Sequence, residues 1–285
     1  VEFNGITRAT AAQTMADYFG TRVYHRGGTY DTREVSDQQG RVWKLVSDAS
    51  IAAPADERCE LVTPICRWED IPVLQELVRK LRAAGAKAHE SCGIHVHIGR
   101  GEHTAKTLRN LVNLVNAKED LLTQALGISG DRRDRWCRPV EQRFLEQLNR
   151  RKPKDDDALA RLWYDVRTDR EAERRKSYHY DDSRYHLLNL HSTFTKGTLE
   201  FRAFNSTLHA GKIKAYIQLC MAISDCALKS SYASPTRPVT DNPKYAFRCW
   251  LLKLGFIGDE FATAREHLLA NLPGDSAWRN GRPAA

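Results

Sequence analysis

His95 and His97 stand two residues apart in Ile94-His95-Val96-His97-Ile98, a run that alternates aliphatic side chains with imidazoles. A strand has a period of two, so both rings would leave one face while the three aliphatics leave the other. Burial explains the aliphatics but gives no reason for paired imidazoles. They suit a metal ion or a phosphate; the plainer alternative is two half-buried histidines bonded to neighbouring backbone. Glu200 and Arg202 repeat the geometry in Thr198-Leu199-Glu200-Phe201-Arg202-Ala203-Phe204. Such a pair can be a cross-strand ion pair at a sheet edge, or a metal-binding Glu beside an Arg that neutralises a phosphoryl group. Three more acids fall in or just after extended runs: Glu2, Asp48 and Glu60. Each alone reads as a solvated or capping group. Four strand-borne acids with a His-x-His are a less ordinary inventory, and no thiolate is suitably spaced. Hard oxygen donors joined by imidazole suit Mg²⁺ or Mn²⁺ rather than structural zinc.

The elements that must carry these residues follow from local pattern. Val1–Phe3 reads as the tail of a strand, followed by a helix capped at Thr7 and ended by Gly20. Residues 42–47 and 59–63 read as strands, the second stopped by Pro64. Ile71, Leu74, Leu77, Val78 and Leu81 recur at helical spacing up to Gly85, and Leu108 to Leu126 form a long amphipathic helix closed by Gly127. Leu188–His191 and Thr198–Phe204 flank Lys196-Gly197 and predict a β-hairpin. Helices are expected at 212–229, 244–254 and 259–270, and 150–157 is the most loop-like stretch. Grouped strands with helices between them predict an α+β fold with a largely antiparallel sheet. A single domain over 1–285 is expected, with 131–185 as a helical insertion or substrate-side region. The stretches around 21–41, 129–185 and 231–243 are expected to be the variable loops that set specificity.

Composition sets the class. The 285 residues are 41% hydrophobic and 28% charged, with mean hydropathy −0.56, and six Trp, ten Tyr and nine Phe exclude disorder as the main state. No apolar run nears the ~18 residues of a membrane span, and Val1–Gly5 shows no signal-peptide pattern. Seven cysteines without a Cys-x-x-Cys pair point to reduced, buried thiols and a cytoplasmic location. The net charge is 44 − 36 = +8, of which half falls in 131–176, with 15 basic and 11 acidic residues. That stretch alternates in sign, as a solvated helical face does, which makes nucleic acid the weaker reading of the charge. No Gly-x₄-Gly-Lys-Ser/Thr, Gly-x-Gly-x-x-Gly or Gly-x-Ser-x-Gly motif occurs. A bound nucleotide would therefore need metal ions and strand-borne side chains to hold its phosphates.

Five short motifs occur in order: Glu2-Phe3, Trp43 to Ile51, Glu60 to Ile65, Cys92-Gly93-Ile94-His95-Val96-His97-Ile98-Gly99, and Thr198 to Asn205. In order and spacing they resemble the amidoligase family of carboxylate–amine ligases related to glutamine synthetase, over Glu2 to about Leu272. The second-last and last motifs are also similar to two active-site strands of glutamine synthetase. The family's first strand usually carries two glutamates two residues apart, and the chain begins at the second. The resemblance implies a curved, mostly antiparallel sheet backed by helices, as in the glutamine synthetase catalytic domain. It implies ATP as co-substrate and Mg²⁺ (or Mn²⁺) as metal: ATP phosphorylates a carboxylate, and an amine attacks the acyl phosphate to form an amide. Glu2, Glu60, His95 and Glu200 would be metal ligands, and His97 and Arg202 would contact ATP phosphates. Asp48 would serve the amine or a metal-bound water, and Asn189 and Asn205 would hydrogen-bond on the substrate side. The acid and amine partners remain open among small molecules, peptides and protein side chains. Two rivals use the same residues: a metal-dependent phosphohydrolase or nuclease, and a catalytically inactive module binding nucleotide or nucleic acid.

Overall fold

Thr7 accepts a hydrogen bond from the Thr10 N–H and opens the first helix, α1 (Arg8–Phe19), which Gly20 closes in the left-handed region at φ 65°. The computed structural model describes residues 1–279. It is α+β, with eleven α-helices and mostly antiparallel strands among the described residues. The chain divides into two compact units, Val1–Ile94 with Phe204–Lys214, and His95–Ala203 with the chain from Ala215 onward.

In the first unit β1 (Glu2–Phe3), β2 (Val23–Gly27), β3 (Thr32–Ser36), β4 (Val42–Val46) and β5 (Cys59–Val62) form a sheet of order β1-β5-β4-β3-β2. Every pairing in it is antiparallel. The registers Phe3↔Cys59, Leu45↔Leu61 and Val35↔Trp43 put six buried side chains on one face. There α1 packs on β3 and β4, with the Phe19 and Trp43 ring centroids 5.5 Å apart, and α2 (Ile71–Ala83) packs on α1. Period two then sends Glu2, Glu60 and Val46 to the opposite face as one cross-strand row. The β2–β3 hairpin is a correction to the sequence reading, which left 21–41 as a variable loop.

A three-stranded sheet of order β6-β8-β7 is formed by β6 (Gly93–Gly99), β7 (Leu188–Asn189) and β8 (Thr198–Asn205). Arg100 N–H donates to Gly197 C=O at 2.9 Å, so the end of β6 meets the start of β8 and these strands run antiparallel. β7 and β8 pair antiparallel as expected, but the connection is not a tight turn. It is a six-residue helix, α8 (His191–Lys196), ended by Gly197 at φ 66°. The helices α3 (Ala105–Leu126), α4 (Gly130–Arg135), α5 (Gln142–Arg151), α6 (Asp156–Trp163) and α7 (Asp169–Lys176) lie between β6 and β7. After β8 come α9 (Ala210–Lys229), α10 (Pro243–Lys253) and α11 (Ala262–Leu269).

Segment 231–243 is not a free loop. Asn110, Asn113 and Asn116 recur every three residues on α3 and donate to the carbonyls of Ser230, Ala233 and Pro235 at 2.7–2.9 Å. Arg237 then pairs with Glu119 and with Asp120 of the same helix. No helix among the described residues is long and apolar enough to cross a membrane.

Candidate active site

The polar row of the first unit brings two expected acids face to face. Glu2 and Glu60 are direct partners across β1 and β5, and Glu2 is only 4% exposed. The Gly93 N–H donates to Glu2 Oε2 at 2.6 Å. Even so, the Glu2 carboxyl is pushed up to about 7, first by burial and then by repulsion from Glu60 and Asp48. A buried carboxylate that also feels repulsion from two others fits a hard divalent cation, whose charge would offset that repulsion. Asp48 lies two residues beyond Val46, and its Oδ1 accepts from both the Ser50 N–H (2.8 Å) and the Ser50 hydroxyl (2.7 Å). The Ser206 hydroxyl donates to the Glu2 carbonyl, which fixes the short first strand to the chain that follows β8.

Glu200 is the centre of the second unit's cluster. It sits on the middle strand, and its side chain is 5% exposed. Arg202 Nη1 donates to Oε1 at 2.6 Å, and Asn189 Nδ2, directly across β7, donates to Oε2 at 2.6 Å. The Glu200–Arg202 pair is thus a same-strand ion pair in the interior, not a pair across an exposed sheet edge. Burial pushes the Glu200 carboxyl up, but Arg202, His97 and Asn189 together hold it below its ordinary value, so it is ionised.

His95 Nδ1 and His97 Nε2 face Glu200 Oε1 at 3.9 and 3.7 Å. These distances exceed a hydrogen bond. They fall in the range of roughly 3–4 Å between two atoms that ligate one ion. An ionised carboxylate has about four lone-pair sites, so Oε1 can accept another partner beside Arg202. Burial drives the His95 imidazole well below its ordinary value, and the nearby Arg202 and Arg132 cations push it further down. His97 is also lowered, mainly by burial, against the pull of Glu200. Both rings are neutral near pH 7 and keep a lone pair for a metal or a proton. His97 is the more open, with 36% of its side chain exposed against 17% for His95. Its Nδ1 is fixed by the Thr198 hydroxyl at 3.0 Å.

Arg202 is held rigidly. Its Nε donates to the Trp136 carbonyl at 3.4 Å, its guanidinium lies 5.7 Å from the Tyr185 ring centre, and Arg132 Nη2 donates to its carbonyl at 3.3 Å. Sequence reasoning missed Arg132, Trp136 and Tyr185. They come from the helical region before β7, and only folding brings them to the sheet. Asn189, expected on the substrate side, donates to Glu200 and so orients it.

No curated protein and no solved structure matches the chain. A family model described as "Putative amidoligase enzyme" matches residues 1–224. The match spans every strand and every residue in both sets above, and agrees with the resemblance carried by the five motifs. The chain therefore belongs to the amidoligase family.

Proposed function

We propose that the protein is an ATP- and Mg²⁺-dependent (or Mn²⁺-dependent) carboxylate–amine ligase on a glutamine synthetase-like fold, forming an amide through an acyl phosphate. The observation that carries this reading is the Glu200 cluster: an ionised, buried carboxylate oriented by Arg202 and Asn189, with two neutral imidazoles turned to one of its oxygens. A structural ion pair alone has no need of that whole set. Phosphorylating a carboxylate requires two anions to approach, so the protein must supply fixed positive charge and hold ligands in register.

In this reading Glu2, Glu60, His95 and Glu200 are metal ligands. The metal, when bound, supplies Lewis-acid neutralisation of the phosphates. Arg202 offers a planar fork to phosphoryl oxygens. His97, anchored through Nδ1, presents Nε2 to the same anions. Asp48 holds the amine or a metal-bound water.

The test is incubation with ATP, Mg²⁺ and pooled acids and amines, reading ADP release and new amide masses. ADP release that needs both an acid and an amine supports the ligase. Release indifferent to the amine, with no new amide, replaces it with a phosphohydrolase.

A further inference from the structure

A pocket of about 270 Å³ in the second unit is walled by α10, α11 and the chain just after α11. It shares no residue with the Glu2 and Glu200 clusters, and all of its lining lies beyond residue 224, where the family match ends. Lys244 and Arg248 stand four residues apart on α10 and so share one face of the helix, where like charges repel. Lys244 is also the second residue of the helix, after Pro243, a position where the macrodipole disfavours a cation. The first turn of α10 holds no acid to offset either effect.

Arg265 reaches the same pocket from α11. Its Nη1 donates to the carbonyls of Phe256 and Gly258 at 3.0 and 2.9 Å, which fixes the guanidinium and leaves the N–H groups of Nε and Nη2 for another acceptor. Among the described residues no carboxylate lies within ion-pair distance of Lys244, Arg248 or Arg265. Glu266 is the one acid of the lining, and it is exposed. Three cations against one acid leave a surplus of two positive charges. The Lys244 N–H donates to the Pro273 carbonyl at 3.2 Å, which ties the segment carrying Ser276 to the start of α10. The Ser276 hydroxyl has no hydrogen-bond partner among the described residues. Converging cations that the protein does not neutralise make a site that an anion completes.

We propose that this pocket binds a phosphate group, with Arg248 as the fork, Lys244 and Arg265 as flanking charges and the Ser276 hydroxyl as a neutral donor. A phosphate dianion matches the surplus of two charges. Its oxygens point in several directions, as donors from two helices and a following segment require. A carboxylate brings one charge and two oxygens in one plane. The volume is roughly nine water molecules' share of liquid, which admits inorganic phosphate or the phosphate end of a nucleotide, and the experiment separates these sources. Such a site requires nothing of the ligase chemistry.

The test is metal-free calorimetric titration of the full chain with inorganic phosphate, AMP, acetate and succinate at one low ionic strength, because salt screens such contacts. The variants are Lys244→Gln, Arg248→Gln and, as a control, Lys253→Gln, which removes the same charge from the exposed far end of α10. Phosphate should bind the parent about tenfold or more tightly than acetate or succinate. Lys244→Gln and Arg248→Gln should each weaken phosphate binding about ten- to a hundredfold, the range of one charge-assisted contact. Lys253→Gln should stay within about threefold of the parent. Both pocket substitutions relieve a like-charge pair, so neither should lower the melting temperature in phosphate-free buffer. AMP that binds more tightly than phosphate through the same two side chains names a nucleotide as the source, and AMP that binds no better names free phosphate. No phosphate binding by the parent, equal binding of phosphate and succinate, or phosphate affinity unchanged in both pocket variants overturns the proposal. An equal loss in Lys253→Gln overturns it too, because net charge alone would then account for binding. A lowered melting temperature in both pocket variants does the same, because the cations would then serve the fold.

Discussion

Replacing Glu200 by Gln preserves the shape of the side chain and removes its charge. In the parent that charge neutralises Arg202 at 2.6 Å, with the two side chains 5% and 6% exposed. Removing one partner of a buried pair costs about 3–5 kcal/mol. The Gln carbonyl can still accept from Arg202, so the lower end, about 3 kcal/mol, is expected. At about 2–4 °C per kcal/mol for a chain of this class, the melting temperature should fall by roughly 6–12 °C. Calorimetric melts of Glu200→Gln, Arg202→Met and the double variant give the coupling. Once both charges are gone the second loss should be smaller, and the departure from additivity should exceed about 1 kcal/mol. Repeating the melts with excess MgATP adds a functional readout. A ligand at a hundred times its dissociation constant stabilises the parent by about 2.7 kcal/mol, and this increment should shrink sharply in Glu200→Gln. A variant that melts within about 2 °C of the parent would refute the buried-pair argument. An undiminished MgATP increment would refute the place of Glu200 in the metal and nucleotide site.

The two histidines should fail differently: His95→Ala loses a proposed metal ligand, so added Mn²⁺, which prefers imidazole more than Mg²⁺ does, should partly restore ADP release. His97→Ala should show weaker nucleotide use that Mn²⁺ does not repair, and identical metal responses in the two would end the division of roles. Asp70 is held below its ordinary carboxylate value first by the Arg41 fork and then by the Arg67 N–H. A lowered folded value adds stability above the unfolded value of about 4 and loses it as pH falls through the folded value. Asp70→Asn should therefore lower stability at pH 7 and flatten its decline below about pH 4, read by urea melts across pH. Asn113→Leu removes buried bonds to Asn149 and to the Ala233 carbonyl. It should cost about 1–3 kcal/mol and admit proteolysis near 231–240, and an unchanged digestion pattern would show that segment 231–243 is held elsewhere.

Alternation in Ile94–Ile98 and in β8 was enough to place His95 with His97 and Glu200 with Arg202, since strand geometry has one period. Thr7, Gly20 and Gly127 marked helix ends because capping is a local bond between neighbours in the chain. The same local terms could not find α8, whose His-Ser-Thr-Phe-Thr-Lys composition has weak helix propensity. Nor could they find the β2–β3 hairpin, where the polar Tyr24, His25, Arg33 and Glu34 hide the alternation and cross-strand pairing supplies the order.

Chemistry-bearing residues were legible as types and spacings, but their partners were not. Asn189 meets Glu200 because β7 pairs with β8 across a helix. Trp136, Tyr185 and Arg132 meet Arg202 from segments up to 70 residues away in the chain. Lys176, Arg184 and Lys196, which line one pocket, come from α7, from the 3-10 helix Asp182–Arg184 and from the end of α8, and no local pattern in the sequence marks them as a group. Propensity and periodicity act over a few residues. The charge state of Glu2, Glu200 or His95 depends on what burial removes and what distant side chains restore, and only the folded chain fixes both.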